Sequence, residues 1–173
     1  MMRAEEGRIH ARPNARNGDS CAMAKGLVRY IAGDADRERM HIQAIVDHAI
    51  ETRSSLFLGR FSTDLLLPES VLQRWKDSRI VLRQYGSRFY VNACPPLAYA
   101  RRAEVGLEEA EAALRSGKYD TVVLSQVFDV IEEAYVTVRD LQQVLDARPE
   151  QVSLVLTGRR APLEITALCD AVS

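Results

Sequence analysis

Short apolar runs rich in β-branched residues alternate with longer stretches of helical periodicity from residue 26 onward. This alternation is typical of βαβ units, in which parallel strands are joined by helices that pack against the sheet. It predicts an α/β fold with a mostly parallel sheet of about five strands and helices on both faces, that is, a three-layer sandwich. The predicted strands cover residues 27–32, 55–61, 80–82, 119–124 and 152–157.

The intervals between these strands have helical patterns. Apolar residues at helical spacing follow the first strand, and Pro95-Pro96 forms a rigid break before a long charged helix. Arg148-Pro149 ends the last of the helices. The predicted helices centre on residues 42–50, 66–75, 104–115 and 138–147.

The chain has 173 residues, of which 47% are hydrophobic. This length suffices for one core and is short for two ordinary domains, so we expect a single domain over residues 25–173. Residues 1–24 carry few large apolar side chains and are predicted to form a flexible tail. Met23 stands directly before the first strand-like run, so either Met1 or Met23 is the start of translation.

Charge, hydropathy and cysteine content disfavour nucleic-acid binding and membrane insertion and bear on the compartment. Lys and Arg total 23 against 24 Asp and Glu, which gives a formal charge of -1 and no general attraction to nucleic acid. No apolar run approaches the roughly 20 residues that span a bilayer. The three cysteines (Cys21, Cys94 and Cys169) are scattered without metal-ligand spacing, which favours a reducing cytoplasm.

The C-terminal third carries the most specific motifs. The strand 119–124 is followed by Ala147-Arg148-Pro149 and then by Leu-Thr-Gly-Arg-Arg-Ala-Pro at residues 156–162. Together with Gly33-Asp34, Gly86 and Phe89 upstream, this order resembles the corrinoid adenosyltransferase family from about residue 26 to the end. The resemblance implies a P-loop nucleotidase-like fold, association as a dimer, and transfer of the 5′-deoxyadenosyl group of ATP to a reduced corrinoid with Mg²⁺.

The chain departs from the family in the phosphate loop. Family members have a Gly-rich loop ending in Gly-Lys-Thr, whose backbone N–H groups and Lys bind phosphates and whose hydroxyl holds Mg²⁺. When the sequences are aligned on Gly33 and Asp34, Glu38 takes the place of the Lys. One such near-surface charge pair is repulsive by roughly 4 kcal/mol at contact. The residues that replace the loop are Ala35, Asp36, Arg37, Glu38 and Arg39.

A second departure follows the strand 119–124, where Ser125-Gln126 replaces the family's acidic pair. Neutral side chains are poor ligands for a hard cation such as Mg²⁺. The resemblance also implies a further strand and tail beyond Ser173. We therefore interpret the nucleotide-binding positions as vestigial; they are Gly33, Asp34, Arg37, Glu38, Arg39, Ser125 and Gln126.

Arg159 has two open interpretations. It follows a predicted strand, where α/β sheets place ligands, so it is either a ligand for a carboxylate or phosphate or a member of a structural ion pair. Phe89 and Tyr90 lie in an aromatic region, with Tyr85 and Tyr99, that faces the corrinoid in the family. This region either packs in the core or lines a pocket for a planar ligand.

Other polar residues are expected to be structural. Asp120 stands at a strand start, where a capping or pairing role is expected. His41 and His48 are about 10 Å apart along a helix, which is too far for one metal ion. Cys94 has no base that the sequence places beside it.

Three functional hypotheses follow. The first is a non-catalytic homologue, linked to cobalamin metabolism, that binds a corrinoid, a nucleotide fragment or a partner. The second is an active ATP:corrinoid adenosyltransferase that uses divergent residues such as Arg37, Arg39 and Arg159. The third is a scaffold that associates with itself or with an active paralogue. ATP, Mg²⁺ and a corrinoid are all expected as ligands under the second hypothesis. Under the first hypothesis, the ligand is a corrinoid, a nucleotide fragment or a partner.

Overall fold

A computed structural model describes residues 26–62, 78–86 and 96–173. The predicted tail 1–24 and helix 66–75, and the side chains of Phe89, Tyr90 and Cys94, lie outside the described residues.

The described strands form one parallel sheet in the order β3-β2-β4-β5-β1-β6. The α/β prediction is confirmed, but the sheet has six strands and not about five. Their bounds are β1 Val28–Ala32, β2 Leu56–Arg60, β3 Ile80–Gln84, β4 Thr121–Ser125, β5 Ser153–Gly158 and β6 Ala171–Val172.

The sixth strand was not predicted because it has only two residues. It is held on β1 by backbone hydrogen bonds that bracket it on both sides. The N–H of Asp170 donates to Val28 at 2.8 Å, and the N–H of Ser173 donates to Tyr30 at 2.9 Å. A ladder this short has no sequence pattern of its own, since alternation needs several residues to be recognised.

Five helices connect or follow the strands within the described ranges. Their bounds are α1 Ala35–Thr52, α2 Pro96–Arg115, α3 Val127–Glu132, α4 Val138–Asp146 and α5 Leu163–Thr166. The predicted charged helix therefore begins earlier than expected, and α3 is an addition. No helix among these described residues is long and apolar enough to cross a membrane.

Helices cover both faces of the sheet, as predicted. On one face, Ile42, Ile45 and Val46 of α1 pack against alternate residues of the central strands, such as Val123 and Val155. On the other face, α2, α3 and α4 pack against the remaining strand residues. The central strands β4 and β5 are buried on both faces, which explains their unbroken apolar sequences.

Since all six strands are parallel, their carboxyl ends meet at one edge of the sheet. The connections after β1, β4 and β5 are adjacent there, because β5 lies between β4 and β1. This edge is where open α/β sheets bind ligands.

Candidate functional site

The first connection at this edge is a tight turn from β1 into α1. Asp34 is the N-cap of α1, and its Oδ1 accepts a hydrogen bond from the N–H of Arg37 at 3.0 Å. Gly33 has φ of 154°, and a Cβ at this position would lie 2.8 Å from Cδ of Arg37. Ala35 already belongs to the helix, so this segment is a capped helix start.

Glu38 lies one turn into α1 and is buried, with 3% of its surface exposed. Its Oε1 accepts hydrogen bonds from Ser125 Oγ at 2.8 Å and from Thr157 Oγ1. Thr157 Oγ1 in turn accepts from the N–H of Gln126 at 2.8 Å. The carboxylate therefore ties α1 to the ends of β4 and β5.

Burial raises the pKa of the Glu38 carboxyl, because water no longer solvates the charged form. The hydrogen bonds from Thr157 and Ser125 oppose this shift. Asp129 raises the pKa further by repulsion, and Arg60 lowers it by attraction. Desolvation is the largest effect, so the pKa lies above the usual value for glutamate.

Gln126 occupies the turn between β4 and α3 in a left-handed conformation, with φ of 56°. It is 9% exposed, and its buried Oε1 has no hydrogen-bond partner within residues 26–62, 78–86 and 96–173. A non-glycine residue in this region of φ and ψ is uncommon. Strain of this kind is concentrated at functional sites, and here it coincides with an unsatisfied acceptor.

Arg159 follows β5 and is 66% exposed at its side chain. Its Nε lies 3.8 Å from Asp129 Oδ1, and its terminal nitrogen lies 3.9 Å from Glu132 Oε2. Of the two interpretations of this residue, the structure supports an ion pair with α3. The contacts are long and solvated, so they hold the guanidinium weakly.

Five of the predicted positions line a single cavity of about 300 Å³: Gly33, Asp34, Glu38, Gln126 and Arg159. Ser125 lies directly behind it through its bond to Glu38. Arg37 and Arg39 do not line this cavity; both are exposed, and Arg39 pairs with Asp36 at 3.2 Å.

Sequence reasoning missed two residues of this site. Thr157 could have been found from the sequence, because it is the first residue of the Thr-Gly-Arg motif that also contains Arg159. Asp129 had no such signal, because it lies on the unpredicted helix α3. It lines the cavity, and its buried Oδ1 has no hydrogen bond to the part of the chain that the structure describes.

A second cavity of about 250 Å³ adjoins the first and shares Ser62 and Asp129 with it. Tyr99 and Tyr135 line it with stacked rings, whose centroids are 5.5 Å apart and whose planes differ by 15°. Glu133 also lines it, and burial raises the pKa of this carboxyl.

Tyr85 does not line either cavity. It is buried against Phe61, and its hydroxyl donates to Glu109 at 2.6 Å. Burial raises its pKa, and the carboxylate beside it adds to the shift. Of the two described tyrosines of the aromatic region, Tyr85 therefore lies in the core and Tyr99 lines a cavity.

The remaining polar residues have structural surroundings. Asp120 Oδ2 accepts from both the N–H and the hydroxyl of Ser55, which joins the starts of β2 and β4. His48 lies at the opposite edge of the sheet, in a cavity beside Asp120. No group of three or more potential metal ligands occurs in the part of the chain that the structure describes.

A sequence profile of the family described as ATP:corrinoid adenosyltransferase BtuR/CobO/CobP matches residues 66–173. The chain belongs to this family. The corrinoid adenosyltransferase assignment covers β3 to β6, including Gln126, Asp129 and Arg159. The matched segment begins after β2 and does not cover Asp34 and Glu38, so their alignment with the family's phosphate loop stays a prediction from the sequence.

Two further similarities accompany this match. The uncharacterized protein all2391 of Nostoc sp. (strain PCC 7120 / SAG 25.82 / UTEX 2576) is 29% identical over 65 residues, which are 38% of this chain and 17% of that protein. A crystal structure of the RadB recombinase aligns with a TM-score of 0.46 and 13% identity, covering 78% of this chain and 62% of that one. The chain thus spans less than two thirds of either protein.

Proposed function

We propose that this corrinoid adenosyltransferase family member acts in cobalamin metabolism without using ATP and Mg²⁺ for adenosyl transfer. The observation that carries the proposal is the buried carboxylate of Glu38, which accepts hydrogen bonds from Ser125 and Thr157 at the position where the resemblance implies a phosphate-binding Lys. A corrinoid or a partner protein is the ligand class that this role requires.

The carboxylate of Asp34 occupies part of the helix start. A helix N-terminus binds anions through its free N–H groups and its dipole. Here the capping carboxylate already accepts from one of these groups, the N–H of Arg37. The Gly-Asp pair is part of the resemblance to the family, so Asp34 by itself does not distinguish this chain from members that bind phosphate.

Glu38 is an obstacle that side-chain motion does not remove. Its carboxylate is buried, and hydroxyl groups of two strands donate to it. Turning it outward would leave Ser125 and Thr157 without that acceptor, at about 1–3 kcal/mol for each buried donor. The residues at this edge therefore do not fit a triphosphate with its Mg²⁺.

An active enzyme would need other cations to replace the lost Lys. Arg159 is the only Lys or Arg among the described residues that line the cavity. It lies near Asp129 and Glu132, so part of its charge is already compensated. One such group is a poor substitute for a backbone cradle together with Lys.

We also propose a cytoplasmic location, which the scattered cysteines and the family's chemistry support. Residues 25–173 are proposed to form a single domain. We further propose self-association, or association with an active paralogue.

Thermal unfolding with ATP–Mg²⁺ and, separately, with a cobalamin tests the proposal. A ligand at about 100 times its dissociation constant adds roughly 2.7 kcal/mol to the free energy of unfolding. We expect no shift with millimolar ATP–Mg²⁺, and an active family member treated identically serves as the positive control. A clear rise in Tm with ATP–Mg²⁺ would refute the proposal. A rise with cobalamin alone would identify the corrinoid as the ligand, and no rise with either would favour a partner protein.

A further inference from the structure

We propose that the cavity lined by Gln126, Asp129 and Glu38 binds a small organic cation that donates N–H hydrogen bonds, such as a primary ammonium or a guanidinium group. This inference rests on the proposed function, because it requires that the cavity does not hold a triphosphate.

Unsatisfied acceptors are the first support. Gln126 Oε1 and Asp129 Oδ1 are both buried atoms, and neither has a hydrogen-bond partner among the described residues. The Nε of Arg159 lies 3.8 Å from Asp129 Oδ1, beyond hydrogen-bond distance. Both residues line the same cavity. Buried polar atoms in folded proteins nearly always have partners, so these two acceptors indicate a missing donor. A phosphate oxygen has no proton to donate at neutral pH, whereas an ammonium group has three N–H donors.

The charge of the lining is the second support. Three acidic side chains line the cavity among the residues that the structure describes, those of Asp34, Glu38 and Asp129. Their only cationic counterpart among the described lining residues is Arg159, which is largely exposed and 3.8 Å from Asp129 Oδ1. A cleft lined by one sign of charge concentrates ions of the opposite sign.

The adjoining cavity explains what the rest of the ligand would contact. It begins at Asp129 and Ser62 and continues to the ring of Tyr135, with Glu133 beside it. A cation at Gln126 and Asp129 with a short alkyl chain would extend toward this ring, where apolar contact or a cation–π contact is available. Volumes of about 300 and 250 Å³ suit a linear diamine or an aminoalkyl guanidine.

The test is isothermal titration calorimetry of the whole chain with 1,4-diaminobutane and with agmatine. 1,4-Butanediol and succinate serve as neutral and anionic ligands of matched length. We expect the two cations to bind and the diol and the diacid to be inert at concentrations up to about 10 mM. Absence of cation binding in this range, or equal binding of the diol, would overturn the inference.

Gln126→Leu is the diagnostic variant, since it removes the unsatisfied acceptor and keeps a side chain of similar size. We expect cation affinity to fall at least tenfold while thermal stability stays equal or rises. Asp129→Asn provides a second variant with the same expected loss, and Glu108→Gln on α2 is the matched control that should bind as the parent does. Unchanged affinity in both site variants would contradict the proposal.

ATP–Mg²⁺ titrated in the same experiment separates the two proposals. Binding of ATP–Mg²⁺ would refute the proposed function and, with it, this inference. Absence of binding by both ATP–Mg²⁺ and the two cations would overturn this inference alone.

Discussion

The Glu38→Ala substitution should destabilise the protein by about 2–4 kcal/mol, because Glu38 is part of the structural core at the sheet edge. The carboxylate accepts from Ser125 and Thr157, and both hydroxyl groups are buried. Each lost hydrogen bond to a charged group contributes about 1.5–3 kcal/mol, and the vacated space adds to the loss. Relief of the buried charge offsets part of this sum.

Urea unfolding at pH 7 measures the effect, with Glu51→Ala as the matched control. Glu51 lies on the same helix and is exposed, so its replacement should change the free energy of unfolding by less than about 0.5 kcal/mol. If Glu38→Ala cost no more than this control, the carboxylate would be free to leave the site. Glu38 would then not block phosphate binding.

Three further predictions concern the same fold. Glu38→Gln should gain stability relative to the parent as pH rises from about 4 to 8. The reason is that the raised pKa of Glu38 makes the folded parent favour the neutral carboxyl, so the parent loses stability as this group ionises. A difference in unfolding free energy that is constant or shrinks with pH would argue against this prediction. Arg148→Ala should lower the free energy of unfolding by about 2 kcal/mol, since the guanidinium donates to two carbonyls at 2.9 Å, at the entries to β1 and β5. Arg148→Lys should recover part of this stability. An equal loss in both variants would speak against a hydrogen-bonding role. Gly106→Ala should destabilise by about 1–3 kcal/mol despite the better helix propensity of Ala, as its Cβ would lie 2.6 Å from Phe61 Cε1; a higher Tm in calorimetry would show that the aromatic ring moves freely.

The layered architecture was predictable from the sequence. Buried parallel strands such as β4 and β5 have continuous apolar sequences, and α1 has a clear apolar period. Helices and strands that are too short to show a repeating apolar pattern were not predictable. Helix α3 has six residues and β6 has two, so neither carries a recognisable period.

The sequence singled out several residues that the structure brings together at one cavity, but it did not indicate the contacts between them. The family motifs indicated Glu38, Ser125 and Gln126 as altered positions, and the structure brings them together. The sequence suggested only that Glu38 would repel phosphate. Its partners are 87 and 119 residues away, and contacts at that separation depend on strand order, which periodicity does not encode.

An adenosyltransferase assay tests the central claim most directly. The protein is incubated with ATP, Mg²⁺ and a chemically reduced corrinoid, and formation of the adenosylated corrinoid is followed by visible absorbance, with an active family member as the positive control. The account predicts no adenosylated product above the protein-free background. Turnover that depends on both ATP and this protein would contradict it.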